Sequence, residues 1–205
     1  MPRLRQVPRA EISPELDDTF QMVFGDRDPV DEPGTAMGTP GNWFSVFALV
    51  PDVFKAALAS LHLGHRPETV APPELLQLAI VRAGWTRGSQ FVYSQHCKVA
   101  REVGVAEDKI DAIESWEVSD RFSDLERAVL AYTDGLVLAG GRVPDSVFAA
   151  LRDGLSDEQI LELTYVAATY EMHAAISVAL RLEYDDRDDP IVEIPAPGED
   201  QAFRW

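Results

Sequence analysis

Cysteine is nearly absent: the 205-residue chain carries one, Cys97. A lone thiol excludes an intramolecular disulfide and a structural zinc site built on cysteine, and it fits a reducing compartment. Positive charge is also scarce, with 18 Lys and Arg against 35 Asp and Glu, for a formal net charge of −17. Such a surface repels phosphate backbones and anionic lipid, so neither nucleic acid nor a membrane is an expected partner. No run of about 18 apolar residues occurs, which excludes a transmembrane helix. The start, Met1-Pro2-Arg3-Leu4-Arg5, lacks the apolar core of a secretion signal, and the expectation is a cytoplasmic protein. Strand alternation is almost missing. So are a P-loop, a Gly-x-Gly-x-x-Gly after a strand and a His-Glu-x-x-His pair. Neither a cofactor nor a metal is expected. The nearest carboxylate–imidazole pair, Glu171 and His173, falls on different sides of a helix.

What is present is an apolar fraction of 46%, enough for a real core. The pattern is all-α, read in three parts: an N-terminal arm and loop over 1–41, a helical domain over 42–185 and an extended C-terminal arm over 186–205. A short helix is expected from Pro14 to Phe24, then a long loop to Gly41 that is either functional or folded over a neighbour. Asn42 can cap the next helix. Pro51 and Pro73 stand near the first turns of two more, and Gly84 ends the second of these. Ser123-Asp124-Leu125-Glu126 is a capping box, and Ser156-Asp157-Glu158-Gln159 starts the longest helix, expected to reach about Glu183. The run Asp185-Asp186-Arg187-Asp188-Asp189 reads as a solvated face.

The stretch Gly88-Ser89-Gln90-Phe91-Val92-Tyr93-Ser94-Gln95-His96-Cys97 opens a helix after Ala83-Gly84-Trp85-Thr86-Arg87. Ser89, Val92, Tyr93 and His96 fall at i, i+3, i+4 and i+7 and share one face. An imidazole titrates near neutral pH, so His96 is the candidate proton-transfer group, with Tyr93 as its orienting partner or a donor to a carbonyl. The structural alternatives are a core histidine, a packing phenol and, for Ser89, a helix cap. Trp43 and Trp85 read as packing residues with a lesser claim to line a pocket. His62, His65 and His173 read as surface or interface residues.

Leu75 to Gly84, then Ser89 to His96, together with Phe122 to Leu130, Leu155 to Ile160 and Thr169 to His173, resemble the carboxymuconolactone decarboxylase and alkylhydroperoxidase D superfamily over roughly residues 42 to 185. The resemblance implies an all-helical bundle that assembles as a homo-oligomer (dimer, trimer or hexamer) with a pocket beside the helix of Tyr93 and His96. In that family a peroxidase branch uses Cys-x-x-Cys, a His four residues later and a Glu on the preceding helix. A decarboxylase branch uses Glu and His on one helix.

This chain departs from both. The cysteine positions match Ser89 and Val92, the decarboxylase glutamate also matches Val92, and the preceding-helix glutamate matches Gln77; His96 is retained. Peroxide reduction needs a thiolate and a resolving thiol, which Ser89 and Val92 cannot supply. The expectation is a cofactor-independent lyase, decarboxylase or isomerase that moves a proton through His96. The substrate is a small aromatic-derived or polyketide-like molecule, because loss of the carboxylate leaves a weakly charged pocket. His96 and Tyr93 are the candidate catalytic residues, and Gln77, Ser89, Val92, Arg82 and Trp85 are the candidate orienting or substrate-binding residues, Gln77 by hydrogen-bonding to His96 and Arg82 by holding a carboxylate. The alternative is a non-catalytic ligand-binding or structural oligomer, with a peroxidase-type antioxidant enzyme a distant third.

Overall fold

The helix over Pro73–Thr86 is buried without interruption from Leu75 to Gly84. A helix buried on every side belongs at the centre of a bundle, and this one packs against three others. The computed structural model describes residues 1–64, 66, 68–186 and 190–195. His65 and the stretches 187–189 and 196–205, which carry part of the acidic run and most of the expected C-terminal arm, lie outside the described residues.

In chain order the described helices are α1 (Asp17–Phe24), α2 (Asn42–Phe47), α3 (Pro51–His62), α4 (Pro73–Thr86), α5 (Gln90–Glu102), α6 (Glu107–Asp111), α7 (Asp124–Val137), α8 (Asp145–Arg152) and α9 (Asp157–Leu180). Short 3-10 turns precede α1 and follow α6, and no strand occurs among the described residues. The fold is all-α. The expected capping box forms, Ser123 with Glu126 opening α7, and a second box, Ser156 with Gln159, opens α9 at the expected start. α9 stops three residues before Glu183, because Arg181 turns left-handed at φ 54°. Asn42 does not cap α2. The cap is Gly41, at φ 86°, and the Asn42 Oδ1 instead accepts from the Glu183 backbone N–H at 2.5 Å.

Two apolar cores result. One joins α4, α5, α7 and α9 through residues such as Leu76, Ile80, Leu130 and Leu163. The other joins α1, α2 and α3 through Phe20, Phe24, Trp43, Phe44 and Phe54, closed by Leu182 beyond α9. α4 and α5 approach closely because Gly84 has no side chain; a Cβ there would sit 2.8 Å from the Tyr93 backbone nitrogen. A strap after α9 ties the two cores together. Glu183 accepts from the Gly41 and Trp43 N–H groups at 3.1 and 2.6 Å, and Asp185 accepts from the Ser89 hydroxyl and the Phe91 N–H at 2.7 and 3.0 Å. Asp185 is therefore no part of a solvated face. Burial pushes its carboxyl up to about 6 and that of Glu183 to about 7.

Candidate functional site

A cavity of about 60 Å³ lies where the two cores meet. α2 contributes Trp43 and Phe44, α5 contributes Phe91, Val92, Gln95 and His96, α9 contributes Tyr170 and His173, and Met37 from the long loop and Leu61 complete the wall. The loop over 25–41 is thus part of the site; Lys98 of α5 holds it by donating to the Met37 carbonyl at 3.1 Å. None of these lining residues is a lysine, arginine, aspartate or glutamate.

His96 sits 4% exposed in this wall. Its Nδ1 lies 2.8 Å from Gln77 Oε1, and the Gln77 amide nitrogen donates to the Gly64 carbonyl at 3.3 Å. A carbonyl only accepts, so the Gln77 amide must turn its nitrogen toward Gly64 and its oxygen toward His96. In the neutral ring Nδ1 then carries the proton and Nε2 is the basic nitrogen. The Tyr170 ring meets the imidazole edge-on, with centroids 4.3 Å apart. Burial raises the Tyr170 hydroxyl far above the usual phenol range, which keeps it protonated.

Of the candidates read from sequence, the structure brings His96, Gln77 and Val92 to one place. Tyr93 is elsewhere. Successive helical residues turn by 100°, and the cavity face of α5 is centred between Val92 and Gln95, so Tyr93 points about a third of a turn away. There it stands half-buried beside Cys97 and keeps company with Asp111 and Glu114. Ser89 is the α5 cap, accepting from the Val92 N–H at 3.3 Å, and its hydroxyl is given to Asp185. Arg82 does not reach the cavity: it pairs with both Asp134 oxygens at 2.7 and 2.9 Å and donates to the Ile113 and Glu114 carbonyls. Trp85 lies under that guanidinium at 5.1 Å. Neither residue lines the cavity; Arg82 ties α4 to α7 and to the turn after α6.

Two polar residues of α9, Tyr170 and His173, line the cavity where the sequence pointed instead to a pairing with Glu171. Tyr170 and His173 sit three apart on α9 and so share a face; comparing His173 only with Glu171 hid that pairing. Glu171 faces outward to Arg87. His173 is not a surface residue. It is 2% exposed, and burial pushes its imidazole down from the ordinary 6.5 to about 4. Trp43, expected to pack, stacks on Phe47 with centroids 4.2 Å apart and also lines the cavity. Cys97 is buried on the Tyr93 side of α5, and its thiol is pushed up to about 12 by burial, which disfavours the thiolate.

Residues 51–135, which span α3 to most of α7, match the model of the carboxymuconolactone decarboxylase family. This match and the AhpD-like solved structures support placing the chain in the carboxymuconolactone decarboxylase/AhpD-like superfamily. The uncharacterized protein YdfG of Bacillus subtilis (strain 168) is 27% identical over 105 residues, which cover 51% of this chain and 71% of that protein. A solved protein of unknown function from Agrobacterium tumefaciens, suggested to act in AhpD-type antioxidant defence, superposes with a TM-score of 0.60 at 27% identity over 72% of this chain and 96% of that one. The fold also matches a cysteine-to-alanine variant of the debrominase Bmp8 in complex with 2,3,4-tribromopyrrole. The TM-score there is 0.65 at 17% identity, over 89% of this chain and 92% of that one. No described helix is long and apolar enough to cross a membrane.

Proposed function

We propose that the chain is a cofactor-independent lyase or isomerase in which His96 takes a proton from a small aromatic-derived or polyketide-like substrate and returns it at a second atom. The observation that carries this reading is the buried Gln77–His96 pair at 2.8 Å on the wall of a cavity. Gln77 holds Nδ1–H, orients the ring and leaves Nε2 as the base, the arrangement general acid–base catalysis needs. Trp43, Phe44, Phe91 and Tyr170 offer flat apolar surface to a ring. With no lysine, arginine, aspartate or glutamate among the described lining residues, the cavity suits a neutral substrate, which favours isomerisation or elimination over release of carbon dioxide from a bound carboxylate. The fold accommodates a small ring in the Bmp8 variant bound to 2,3,4-tribromopyrrole.

The protein works in this reading as a cytoplasmic homo-oligomer. Leu161, Tyr165 and Met172 support the assembly, since they leave an apolar strip exposed along one face of α9. Peroxide chemistry through two thiols is outside its reach, because the chain has one cysteine. The alternative, a ligand-binding oligomer without catalysis, is favoured by one observation: Ser89, at a position where the peroxidase branch carries a thiol, is wholly committed to the α5 cap and Asp185.

Deuterium uptake separates the two. A panel of cyclic ketones, lactones and phenol-derived carbon acids is incubated with the protein in heavy water and read by mass spectrometry. Proton transfer at carbon gives exchange above the buffer rate that His96→Gln abolishes. Exchange that survives His96→Gln, or none above buffer across the panel, overturns the enzymatic reading.

A further inference from the structure

His173 has a polar atom that the proposed chemistry does not use. Its Nδ1 is buried from solvent and has no hydrogen-bond partner, although the imidazole lines the cavity. The other nitrogen, Nε2, lies 3.4 Å from the Ser60 hydroxyl oxygen. Ser60 already gives its one hydrogen to the Ala57 carbonyl at 2.8 Å. At the Nε2 contact the Ser60 oxygen must therefore accept, and Nε2 must carry the imidazole proton. That assignment makes Nδ1 an acceptor with a bare lone pair, held among Trp43, Phe47 and Tyr170 at ring-centroid distances of 6.2 to 6.4 Å.

A buried acceptor without a donor costs free energy in the empty protein, and that cost is recovered when a ligand supplies the donor. An anion there would meet a lone pair and no cation, so it is rejected twice over. The burial that lowers the affinity of His173 for a proton keeps the ring neutral, and hence an acceptor, at physiological pH.

We propose that His173 is the specificity-determining acceptor of this cavity, and that it selects un-ionised ring ligands bearing one O–H or N–H donor over both donorless rings and carboxylates. The proposal rests on the reading of the cavity as a ligand site and deepens it. His96 then addresses the reacting atom from α5 while His173 fixes the opposite pole from α9. An apolar cavity of about 150 Å³ holds a benzene ring, so entry of such a ring displaces wall atoms, and the flexible Met37 side chain on the loop is the part of the wall built to yield.

Three probes of similar shape test this: phenol, toluene, which replaces the hydroxyl with a methyl, and benzoate, which adds charge. Binding is followed at neutral pH by ligand-observed NMR titration on the full chain, so no turnover is needed. Phenol is expected to bind about tenfold more tightly than toluene, with benzoate weaker than either. His173→Phe keeps a ring in place and removes the acceptor; it should bring phenol and toluene to the same affinity. His173→Gln, whose amide oxygen can accept, should restore part of the gap. Equal affinities in the wild type, a preference for benzoate, a gap that survives His173→Phe in a folded variant, or no binding by any probe each overturn the proposal. The phenol–toluene gap is read by binding alone, whereas proton transfer is read by exchange at carbon. A failure of the proton-transfer reading, seen in deuterium uptake, is thereby kept apart from a failure of this one.

Discussion

Gln77 of α4 and His96 of α5 meet where the two helices pack together, with Oε1 and Nδ1 2.8 Å apart and Gly84 making the approach possible. Replacing Gln77 by Leu removes the acceptor of the His96 Nδ1–H and the donor to the Gly64 carbonyl, at a cost of about 1–3 kcal/mol for each buried group. Turnover should fall by about 10²-fold as the imidazole loses its orientation. Gln77→Glu keeps the acceptor for Nδ1 and should retain more activity than Gln77→Leu. Equal activity in the two variants, measured by deuterium uptake, removes Gln77 from the mechanism.

Gly84→Ala tests the spacing itself. The new methyl would sit 2.8 Å from the Tyr93 nitrogen and 3.0 Å from a Val92 methyl, so α5 must move. Chemical denaturation should show a loss of about 1–3 kcal/mol, the usual cost of overpacking. Catalysis should fall with it, because Val92 and His96 move as one body away from Gln77.

Arg82 and Asp134 separate stability from function. The pair is buried and hydrogen-bonded on both sides, so Arg82→Met strands a carboxylate and should cost about 3–5 kcal/mol. Arg82 touches neither His96 nor the cavity. In the fraction that remains folded, affinity for phenol should be unchanged, and a selective loss of binding would return Arg82 to the substrate.

Two buried groups pull the pH dependence of stability in opposite directions. Glu183 is raised from 4.5 to about 7, so the folded state holds its proton more tightly. Its contribution is fully present below about pH 4.5 and is lost as pH rises through 7. His173 is lowered from 6.5 to about 4, so the unfolded state takes up the proton first; its contribution is present above 6.5 and is lost as pH falls through 4. Each is worth at most about 3 kcal/mol, and over the shared window they largely cancel. Thermal melts at pH 4.5 and 7 should therefore show Glu183→Gln gaining stability relative to the wild type as pH rises, and His173→Phe gaining as pH falls. Variants whose melting shifts run parallel to the wild type would disprove the assignment.

Much of this architecture was legible in the sequence because local chemistry and tertiary packing agree. The serine boxes at 123 and 156, the prolines at 51 and 73 and the unbroken apolar run of α4 each specify a helix without help from a neighbour. The retained imidazole and its glutamine partner were legible through resemblance. What sequence spacing did not resolve is rotation about the α5 axis. Ser89, Val92, Tyr93 and His96 span 100° of arc, and only the packing of α4 and α9 decides which edge of that arc meets the void. The clasp of Asn42, Glu183 and Asp185 was hidden for another reason: its bonds join residues more than 90 positions apart.

That clasp has a consequence for biosynthesis. α2, with its aromatic wall, and the start of α5, which carries His96, are tied to the segment beyond α9 by residues translated after position 180. A nascent chain that has already folded α4 and α5 still lacks the third wall and the tie across it. Synthesis from the N-terminus therefore completes this cavity only after the strap has emerged, and a polypeptide interrupted shortly before Glu183 would keep most of its helices while lacking the tie across them.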